Sequence, residues 1–385
     1  MTTNKPDTVA THAGRMSDAR CQAVNTPVYR ASTILFPDFE TMESGNAPYT
    51  YGRHGTPTSR SLEDAITTIE GGARTLLCPS GGNAIALAIL SVCSSGDHLL
   101  MVDSAYNPTR IFCDKLLGRF GVETTYYDPL IGAGIEALFR PNTRAVFCES
   151  PGSLTFEVQD VPAIARVAHA MGASVLLDNT WATPLFFNAF SHGVDLSIQA
   201  ATKYVGGHAD VMIGYVCANE SHKARLAATH DNLCLYVSGD DCFLALRGLR
   251  TMPLRIRQHQ ETTQTLTRWL AARPEIERVL YPALESDPGY AIWKRDFTGA
   301  SGLFGVVLKP VPRAALAAFM DGLELFGMGY SWGGYESLIV TSHLHRTAKP
   351  FASEGPLIRI HAGLEDAGDL IADLERGLER LRHAS

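Results

Sequence analysis

The stretch VLLDNTWATPLFFNAFSHGVDLSIQAATKYVGGHADVMIG, residues 175–214, decides the fold that we predict for this chain. Residues 175–177 form a short apolar run that ends in Asp178, a pattern typical of a buried parallel strand. The run VDLSIQAA predicts a second buried strand, and the segment 184–192 between the two predicts a helix. In such a unit both strands end at one edge of the sheet, where open α/β sheets bind ligands. We therefore expect Asp178 and Lys203 at the same edge.

Lys203 follows the second predicted strand in an apolar context. Burial among Ala200, Ala201 and Val205 would favour the neutral amine, which is the form that Schiff-base chemistry needs. A carboxylate beside the amine suits a protonated pyridine nitrogen. On these residues alone, an ordinary loop lysine and an N-capping aspartate fit about equally well.

The composition excludes several classes of protein. The chain has 385 residues, enough for one large and one smaller domain, and a net charge of −7 argues against a nucleic-acid or anionic-membrane partner. No apolar run approaches the roughly 18 residues of a membrane span, and the start MTTNKPDTVATHAGR lacks the apolar core of a signal peptide. We therefore expect a cytoplasmic protein. The eight cysteines form no CxxC pairs, so neither a zinc site nor a disulfide framework is predicted.

Three further motifs offer groups that could bind an anion or a flat ring. A turn at Gly81 and Gly82 opens a predicted helix, whose free N–H groups and dipole favour a phosphate. The turn lacks the full GxGxxG and GxxxxGK[ST] patterns, which disfavours a nicotinamide dehydrogenase. Tyr51 and Arg53 are two residues apart and make a plausible anion clamp, although a solvated loop fits them as well. Tyr106 follows the strand HLLMV and could stack on a heteroaromatic ring or lie in the core.

The string SIQAATKY at 197–204 resembles the lysine motif of the Cys/Met-metabolism family of pyridoxal-phosphate (PLP) enzymes, and the resemblance runs from about Thr8 to the C-terminus. Two departures point to the bacterial β-lyase subgroup of that family. The string ESPGS at 149–153 stands where γ-acting relatives have Glu-Ser/Thr-Pro-x-Asn-Pro. Ala200 stands where many members have a hydroxyl residue.

The resemblance implies a role for each candidate residue. PLP would be joined to Lys203, with Asp178 at its ring nitrogen and Tyr106 over its ring, and Lys203 and Tyr106 would be the catalytic residues. The phosphate would be held by Gly81, Gly82, Thr202 and, from the neighbouring subunit, Tyr51 and Arg53. The substrate would contact Arg359, Ser331, Trp332 and Tyr51, with Arg359 gripping its α-carboxylate. The role of Ser197 stays open, and no metal is expected.

The fold class that the resemblance implies is α/β, of the fold-type I PLP-dependent transferase-like kind. We predict an N-terminal arm over 1–60 that contacts a neighbouring subunit, a large doubly wound, mostly parallel domain over 61–250, and a smaller C-terminal α+β domain over 251–385. The helical pattern that follows Cys217 contains Pro253, so a bend or break is expected near Met252. The partners implied are further copies of the chain, in a dimer with shared active sites that pairs into a tetramer.

The function implied is β-elimination on L-cystathionine, which gives homocysteine, pyruvate and ammonia and serves methionine biosynthesis. A γ-elimination or γ-replacement enzyme of the same family, or a broad cysteine-type carbon–sulfur lyase, is the nearest alternative. A non-catalytic PLP-fold sensor or scaffold is the alternative from a different class.

Overall fold

The computed structural model describes residues 4–16 and 23–384, so residues 1–3 and 17–22 of the predicted arm, with Cys21, lie outside the described part. The α-helices of this part are α1 (Pro6–His12), α2 (Phe39–Ser44), α3 (Pro57–Glu70), α4 (Gly81–Val92), α5 (Asn107–Ile111), α6 (Val161–Ala170), α7 (Thr183–Phe186), α8 (Lys223–Asn232), α9 (Gly239–Ala271), α10 (Tyr290–Asp296), α11 (Arg313–Asp321) and α12 (Ala367–Ala384). The strands are β1 (Arg74–Cys78), β2 (His98–Val102), β3 (Glu123–Tyr127), β4 (Thr143–Glu149), β5 (Ser174–Asp178), β6 (Leu196–Gln199), β7 (Gly214–Ala218), β8 (Ile276–Leu280), β9 (Leu303–Leu308), β10 (Leu338–Ser342) and β11 (Leu357–His361).

Seven strands form one sheet in the order β1-β7-β6-β5-β4-β2-β3. The neighbouring strands β6, β5, β4, β2 and β3 pair in parallel. Strand β7 is antiparallel to both of its neighbours, β1 and β6. The predicted α/β fold with a mostly parallel sheet is confirmed. Strands β4, β5 and β6 are adjacent, so the residues at their carboxyl ends share one edge, as the sequence analysis expected for Asp178 and Lys203.

Helical layers cover both faces of this sheet. Tyr215 and Cys217 of β7 pack in an apolar cluster with α3 and α9, whereas Val216 and Ala218 pack in a second cluster with α4. This alternation is the period of two that a strand buried on both faces shows. Helix α4 is apolar almost all round, GGNAIALAILSV, because it lies buried against the sheet.

The C-terminal part builds a second, antiparallel sheet of four strands in the order β10-β11-β9-β8. Helices α11 and α12 pack together beside it, and α12 buries Leu370, Leu374, Leu378 and Leu381 at helical spacing. Its central strand β11 carries Arg359, which the sequence analysis placed in the substrate site.

Two local predictions differ from the structure. The helix predicted over 184–192 consists of α7 and a separate 3₁₀ turn at Phe190–His192. Helix α7 ends where Phe187 turns to an extended conformation, and Asn188 then starts the turn, because its side chain accepts the N–H of Ser191 at 3.0 Å. The chain does not break near Met252: α9 continues through Pro253 for 33 residues.

Packing explains why α9 continues through its proline. Met252 and Pro253 are buried, and the guanidinium of Arg255 donates to the carbonyls of Gly248 and Tyr204, each at 2.8 Å. These bonds tie the helix to the loop that carries Lys203. The domain boundary expected between residues 250 and 251 falls inside this helix.

Within residues 4–16 and 23–384, no helix has the length and apolar composition that a membrane span requires.

Candidate active site

The backbone around Lys203 is a tight turn that follows β6. The N–H of Lys203 donates to the carbonyl of Ala200 at 3.0 Å, and the carbonyl of Lys203 accepts the N–H of Gly207 at 2.7 Å. The guanidinium of Arg255 donates a hydrogen bond to the carbonyl of Tyr204 in the same turn. The turn therefore fixes the direction in which the lysine side chain leaves the sheet.

The amine of Lys203 lies against a glycine-rich loop that precedes β10. Its Nζ donates to Oγ of Ser331 at 2.5 Å and lies 5.2 Å from the ring centroid of Trp332. Burial, with a smaller contribution from the charge of Arg359, lowers the pKa of Lys203 to about 8, while the charge of Asp178 acts in the opposite direction. About a tenth of the amine is therefore neutral at pH 7, far more than for an ordinary lysine, and the neutral form is the one that acts as a nucleophile.

Asp178 ends β5 as a buried carboxylate. Both hydrogen bonds that it accepts, from the N–H of Thr180 at 3.0 Å and from its hydroxyl at 2.5 Å, go to Oδ1. Burial raises the pKa of Asp178, although the bonds to Thr180 and the charge of Lys203 lower it in part. A buried carboxylate with too little compensating charge would be stabilised by a cationic ligand beside it. This is the environment that a protonated pyridine nitrogen needs.

Glu149 is a second, partly buried carboxylate beside Asp178, and the sequence predicted no role for it. It lies opposite Asp178 on the neighbouring strand β4, and burial together with the charge of Asp178 raises its pKa well above the ordinary value. Its Oε2 accepts the backbone N–H of Tyr106 at 2.8 Å. Its position at the carboxyl end of a buried strand was the signal that could have identified it.

Tyr106 and Arg359 approach this edge from different sheets. Burial and the charges of Glu149 and Asp178 raise the pKa of Tyr106, while the charge of Arg359 lowers it. Burial lowers the pKa of Arg359, whose Nη2 donates to the carbonyl of Ser331 at 2.9 Å. Lys203, Asp178, Tyr106 and Arg359 are thus close enough for their charges to influence one another, and Ser331 contacts two of them.

The turn at Gly81 and Gly82 opens α4 next to the lysine turn. Ser80 caps the helix by accepting the N–H of Asn83 at 3.1 Å. A β-carbon on Gly81 would lie 2.5 Å from the β-carbon of Ala200, so glycine allows the helix to approach β6 closely. Within the described chain the N–H groups of Gly81 and Gly82 have no acceptor, which leaves them available to an anion.

Two hydroxyl residues near the lysine differ in their orientation. Thr202 is bonded to Ile213: its Oγ1 accepts the N–H at 2.9 Å and donates to the carbonyl at 3.0 Å. To donate to a phosphate, this hydroxyl would have to release the carbonyl. Ser197 lies within β6, and its hydroxyl is near the buried Glu70. The geometry therefore gives Ser197 no contact with the lysine site.

Tyr51 and Arg53 lie elsewhere in the single subunit. Arg53 pairs with Asp231, with Nη1 2.9 Å from Oδ1, and its Nη2 lies 2.9 Å from Nε2 of His54. The ring of Tyr51 packs edge-on to that of His54, with centroids 5.8 Å apart. The fold of one chain does not bring these two residues to Lys203.

Asp103, just after β2, anchors a connection that the sequence analysis missed. Its carboxylate accepts the N–H groups of Thr347 at 2.9 Å, Ala348 at 2.9 Å and Lys349 at 3.0 Å, and pairs with Arg110 at 2.8 Å. Asp103 and Arg110 are both buried. The three donors belong to the connection between β10 and β11, so Asp103 joins the second sheet to the first.

The chemical groups at this site are of the types that bind PLP. The site offers a partly neutral amine, a buried carboxylate in need of a cation, and free N–H groups at a helix N-terminus for a phosphate. Among the described residues no group of three or more histidine, cysteine or acidic side chains could hold a metal ion.

Comparison with known proteins gives the same family over nearly the whole chain. Residues 7–379 match the model of the family described as Cys/Met metabolism PLP-dependent enzyme. The chain is 44% identical over 394 residues to cystathionine beta-lyase MetC of Escherichia coli, covering 99% of this chain and 100% of that protein. It is 43% identical over 394 residues to the cystathionine beta-lyase of Salmonella typhimurium, with the same coverage.

Solved structures give the same fold. The crystal structure of cystathionine gamma-lyase from Lactobacillus plantarum complexed with L-serine matches with a TM-score of 0.92 at 29% identity, over 98% of this chain and 100% of that chain. The shared fold thus includes γ-acting enzymes, whereas the two bacterial β-lyases are more similar in sequence.

Proposed function

We propose, because the chain belongs to the Cys/Met metabolism family of PLP-dependent enzymes, that it is a carbon–sulfur lyase that cleaves L-cystathionine by β-elimination. With water, the reaction yields homocysteine, pyruvate and ammonia, and it would serve methionine biosynthesis. The observation that carries the proposal is the amine of Lys203, whose pKa is lowered to about 8, in a site shared with the buried Asp178 and the guanidinium of Arg359.

Different residues would bind different parts of the cofactor. Lys203 would be its covalent anchor, Asp178 would keep its ring nitrogen protonated, and the N–H groups of Gly81 and Gly82 would hold its phosphate. Thr202 remains a candidate for the phosphate through its hydroxyl. When bound, PLP supplies a conjugated, positively charged ring that withdraws electrons from the substrate Cα.

Lys203 is the group that we assign to proton transfer. In its free, neutral form, Nζ would accept the proton from the substrate Cα. The hydroxyl of Ser331, 2.5 Å from Nζ, keeps the amine directed into the site. The ammonium of Lys203 or the phenol of Tyr106 then donates a proton to the departing sulfur.

Arg359 orients the substrate in this proposal. A guanidinium pairs with a carboxylate through two parallel bonds, so Arg359 would fix the α-carboxylate and with it the bond at Cα that is broken. One of its nitrogens already donates to Ser331, and its remaining donors have no partner among the described residues, which leaves them for the substrate. Trp332 lies beside the amine, with its ring centroid 5.2 Å from Nζ.

We also propose that the active sites are shared between subunits of a dimer, which could pair further into a tetramer. The arm carries large apolar side chains on its surface, with Leu35 87% and Phe39 72% exposed and Met42 beside them. Exposed apolar patches of this kind are typical of interaction sites. Tyr51 lines the same patch, so a second copy covering it would place Tyr51 at the interface, where the family resemblance puts Tyr51 and Arg53 against the neighbouring lysine site.

The keto acid formed from L-cystathionine tests the proposal. The holoenzyme should release pyruvate and homocysteine, and the Lys203→Ala variant should release neither and lose the visible absorbance of bound PLP. Release of 2-oxobutyrate and cysteine would instead assign γ-elimination. A yellow protein that turns over no thioether would support the sensor alternative.

A further inference from the structure

Strand β11 contacts the glycine-rich loop 330–334 at two points. Arg359 and His361 are two residues apart on the strand, so their side chains leave on the same face. Arg359 donates to the carbonyl of Ser331 at 2.9 Å. Nε2 of His361 lies 3.2 Å from the N–H of Gly333 and 3.1 Å from the carbonyl of Gly334. The two side chains thus hold the loop on either side of Trp332.

This loop is what covers the amine of Lys203. Ser331 accepts the hydrogen bond from Nζ, and the ring of Trp332 lies over the same nitrogen. A β-carbon on Gly333 would lie 3.0 Å from the backbone of Lys203, so the loop rests directly on the lysine turn. A shift of the loop would therefore move both groups that contact Nζ.

The loop adopts a backbone conformation that needs external support. Ser331 has a φ of 78° and Gly333 a φ of 86°. A positive φ is unfavourable for a residue with a β-carbon and persists where the surrounding structure holds it. The hydrogen bonds from β11 are the contacts that supply this hold.

We propose that His361 is a positioning residue, whose Nε2 holds the Gly333–Gly334 segment through one hydrogen bond and thereby sets Ser331 and Trp332 over the amine of Lys203. The inference rests on the proposed function, because it takes that amine as the reacting group.

The surroundings of His361 suit this role. The side chain is 1% exposed, and its Nδ1 has no hydrogen-bond partner within the described chain. Its hydrogen bonding is therefore directed to the loop through Nε2, which on a neutral ring either accepts the N–H of Gly333 or donates to the carbonyl of Gly334. Burial, with the nearby His259 as a smaller cause, lowers the pKa of His361 to about 3, so the ring is neutral at the pH of any assay. A neutral ring adds no further charge beside Lys203 and Arg359.

Side-chain length separates positioning from simple packing. In His361→Gln the terminal amide reaches the place of Nε2, whereas in His361→Asn it does not. We expect His361→Asn to lower kcat for L-cystathionine about tenfold or more, with a smaller change in KM, because a small displacement of groups around a reacting atom has such effects. The pH midpoint of the holoenzyme's visible absorbance should shift by about half a unit. His361→Gln should recover most of both. If the Asn variant does not fold, His361→Leu fills the same volume without a hydrogen bond.

His98 supplies the matched control. It is also buried, and it bonds Thr143 and Thr125 at 2.8 Å each at the start of β2. His98→Asn should lower Tm and leave the absorbance midpoint unchanged. The proposal is overturned if His361→Asn and His361→Gln behave alike, or if His361→Asn changes Tm alone. The absorbance titration needs no substrate, so it tests His361 even if the protein proves to act on another thioether.

Discussion

The amine of Lys203 lies 2.5 Å from the hydroxyl of Ser331, although the two residues are 128 positions apart in the chain. Lys203 follows strand β6 of the seven-stranded sheet, and Ser331 lies in the loop that leads into β10 of the four-stranded sheet. The site is therefore formed where the two sheets meet, and its properties depend on how they are held together.

The ionisation of Lys203 should follow the charges beside it. In the cofactor-free chain, the rate of PLP capture should rise with pH through about 8, because the neutral amine reacts and the pKa of Lys203 is lowered to about 8. Arg359→Leu should raise this midpoint and Asp178→Asn should lower it, since the two charges act in opposite directions on that pKa. Stopped-flow absorbance gives the rate. Shifts in the same direction for both variants would contradict the assigned charge coupling.

Arg359 should contribute mainly to substrate binding. Arg359→Lys keeps the charge but loses the planar pair of donors, so KM for L-cystathionine should rise about tenfold or more. Steady-state kinetics measure the change. Arg278→Lys is the control, because Arg278 lies on strand β8 of the same sheet and contacts Phe351 and Ala352. Equal effects of the two variants would remove Arg359 from the substrate site.

Asp103 should be essential for docking of the β10–β11 connection. Asp103→Asn breaks a buried ion pair with Arg110 and weakens three backbone hydrogen bonds, which should cost about 3 kcal/mol of unfolding free energy. Urea unfolding measures the loss, and KM should rise with it because β11 carries Arg359. The exposed pair of Asp240 and Arg30 is the control, and Asp240→Asn should have no measurable effect.

Glu70 should make stability depend on pH. Burial raises the pKa of Glu70 to about 7, against a partial lowering by the hydroxyl of Tyr215. The folded chain thus retains a proton that the unfolded chain loses at lower pH, so this carboxyl stabilises the fold in acid and the stabilisation is lost as pH rises through about 7. Between about pH 5 and about pH 8.5, the unfolding free energy of Glu70→Gln should gain about 2 to 3 kcal/mol over the wild type.

Unfolding in urea at the two pH values checks this expectation. The exposed Glu220→Gln should show no such gain. A constant difference between Glu70→Gln and the wild type at both pH values would mean that Glu70 is ionised in the fold throughout.

Shared active sites should allow two inactive variants to complement each other. Lys203→Ala lacks the lysine and Arg53→Ala lacks the arm residue, yet a mixed dimer has one site with both intact. Refolding an equal mixture should restore about a quarter of the wild-type activity, because half of the dimers are mixed and each has one complete site of two. Assays before and after mixing provide the comparison. No recovery in dimers shown to be mixed would place Arg53 outside the neighbouring site.

Local pattern predicted a large part of this architecture. The apolar runs of β2, β5 and β6 were recognisable as buried strands, and parallel pairing of β5 and β6 then required Asp178 and Lys203 to share an edge. The pattern failed in two places, where side-chain hydrogen bonds and packing decide the local structure. The turn that follows α7 depends on Asn188, and the continuity of α9 through Pro253 depends on the packing of Met252 and the bonds of Arg255.

The sequence by itself determined the order of strands and helices, the residues that end at the active edge, and the resemblance to a PLP family. These follow from periodicity and from residue types at short spacing, which act within one segment. Only the tertiary structure decided that Ser331 accepts from Lys203, that Asp103 holds the β10–β11 connection, and that His361 supports the loop over the amine. Such contacts join groups more than twenty positions apart, and they exist because packing two sheets together removes water from polar groups that must then find partners in the protein.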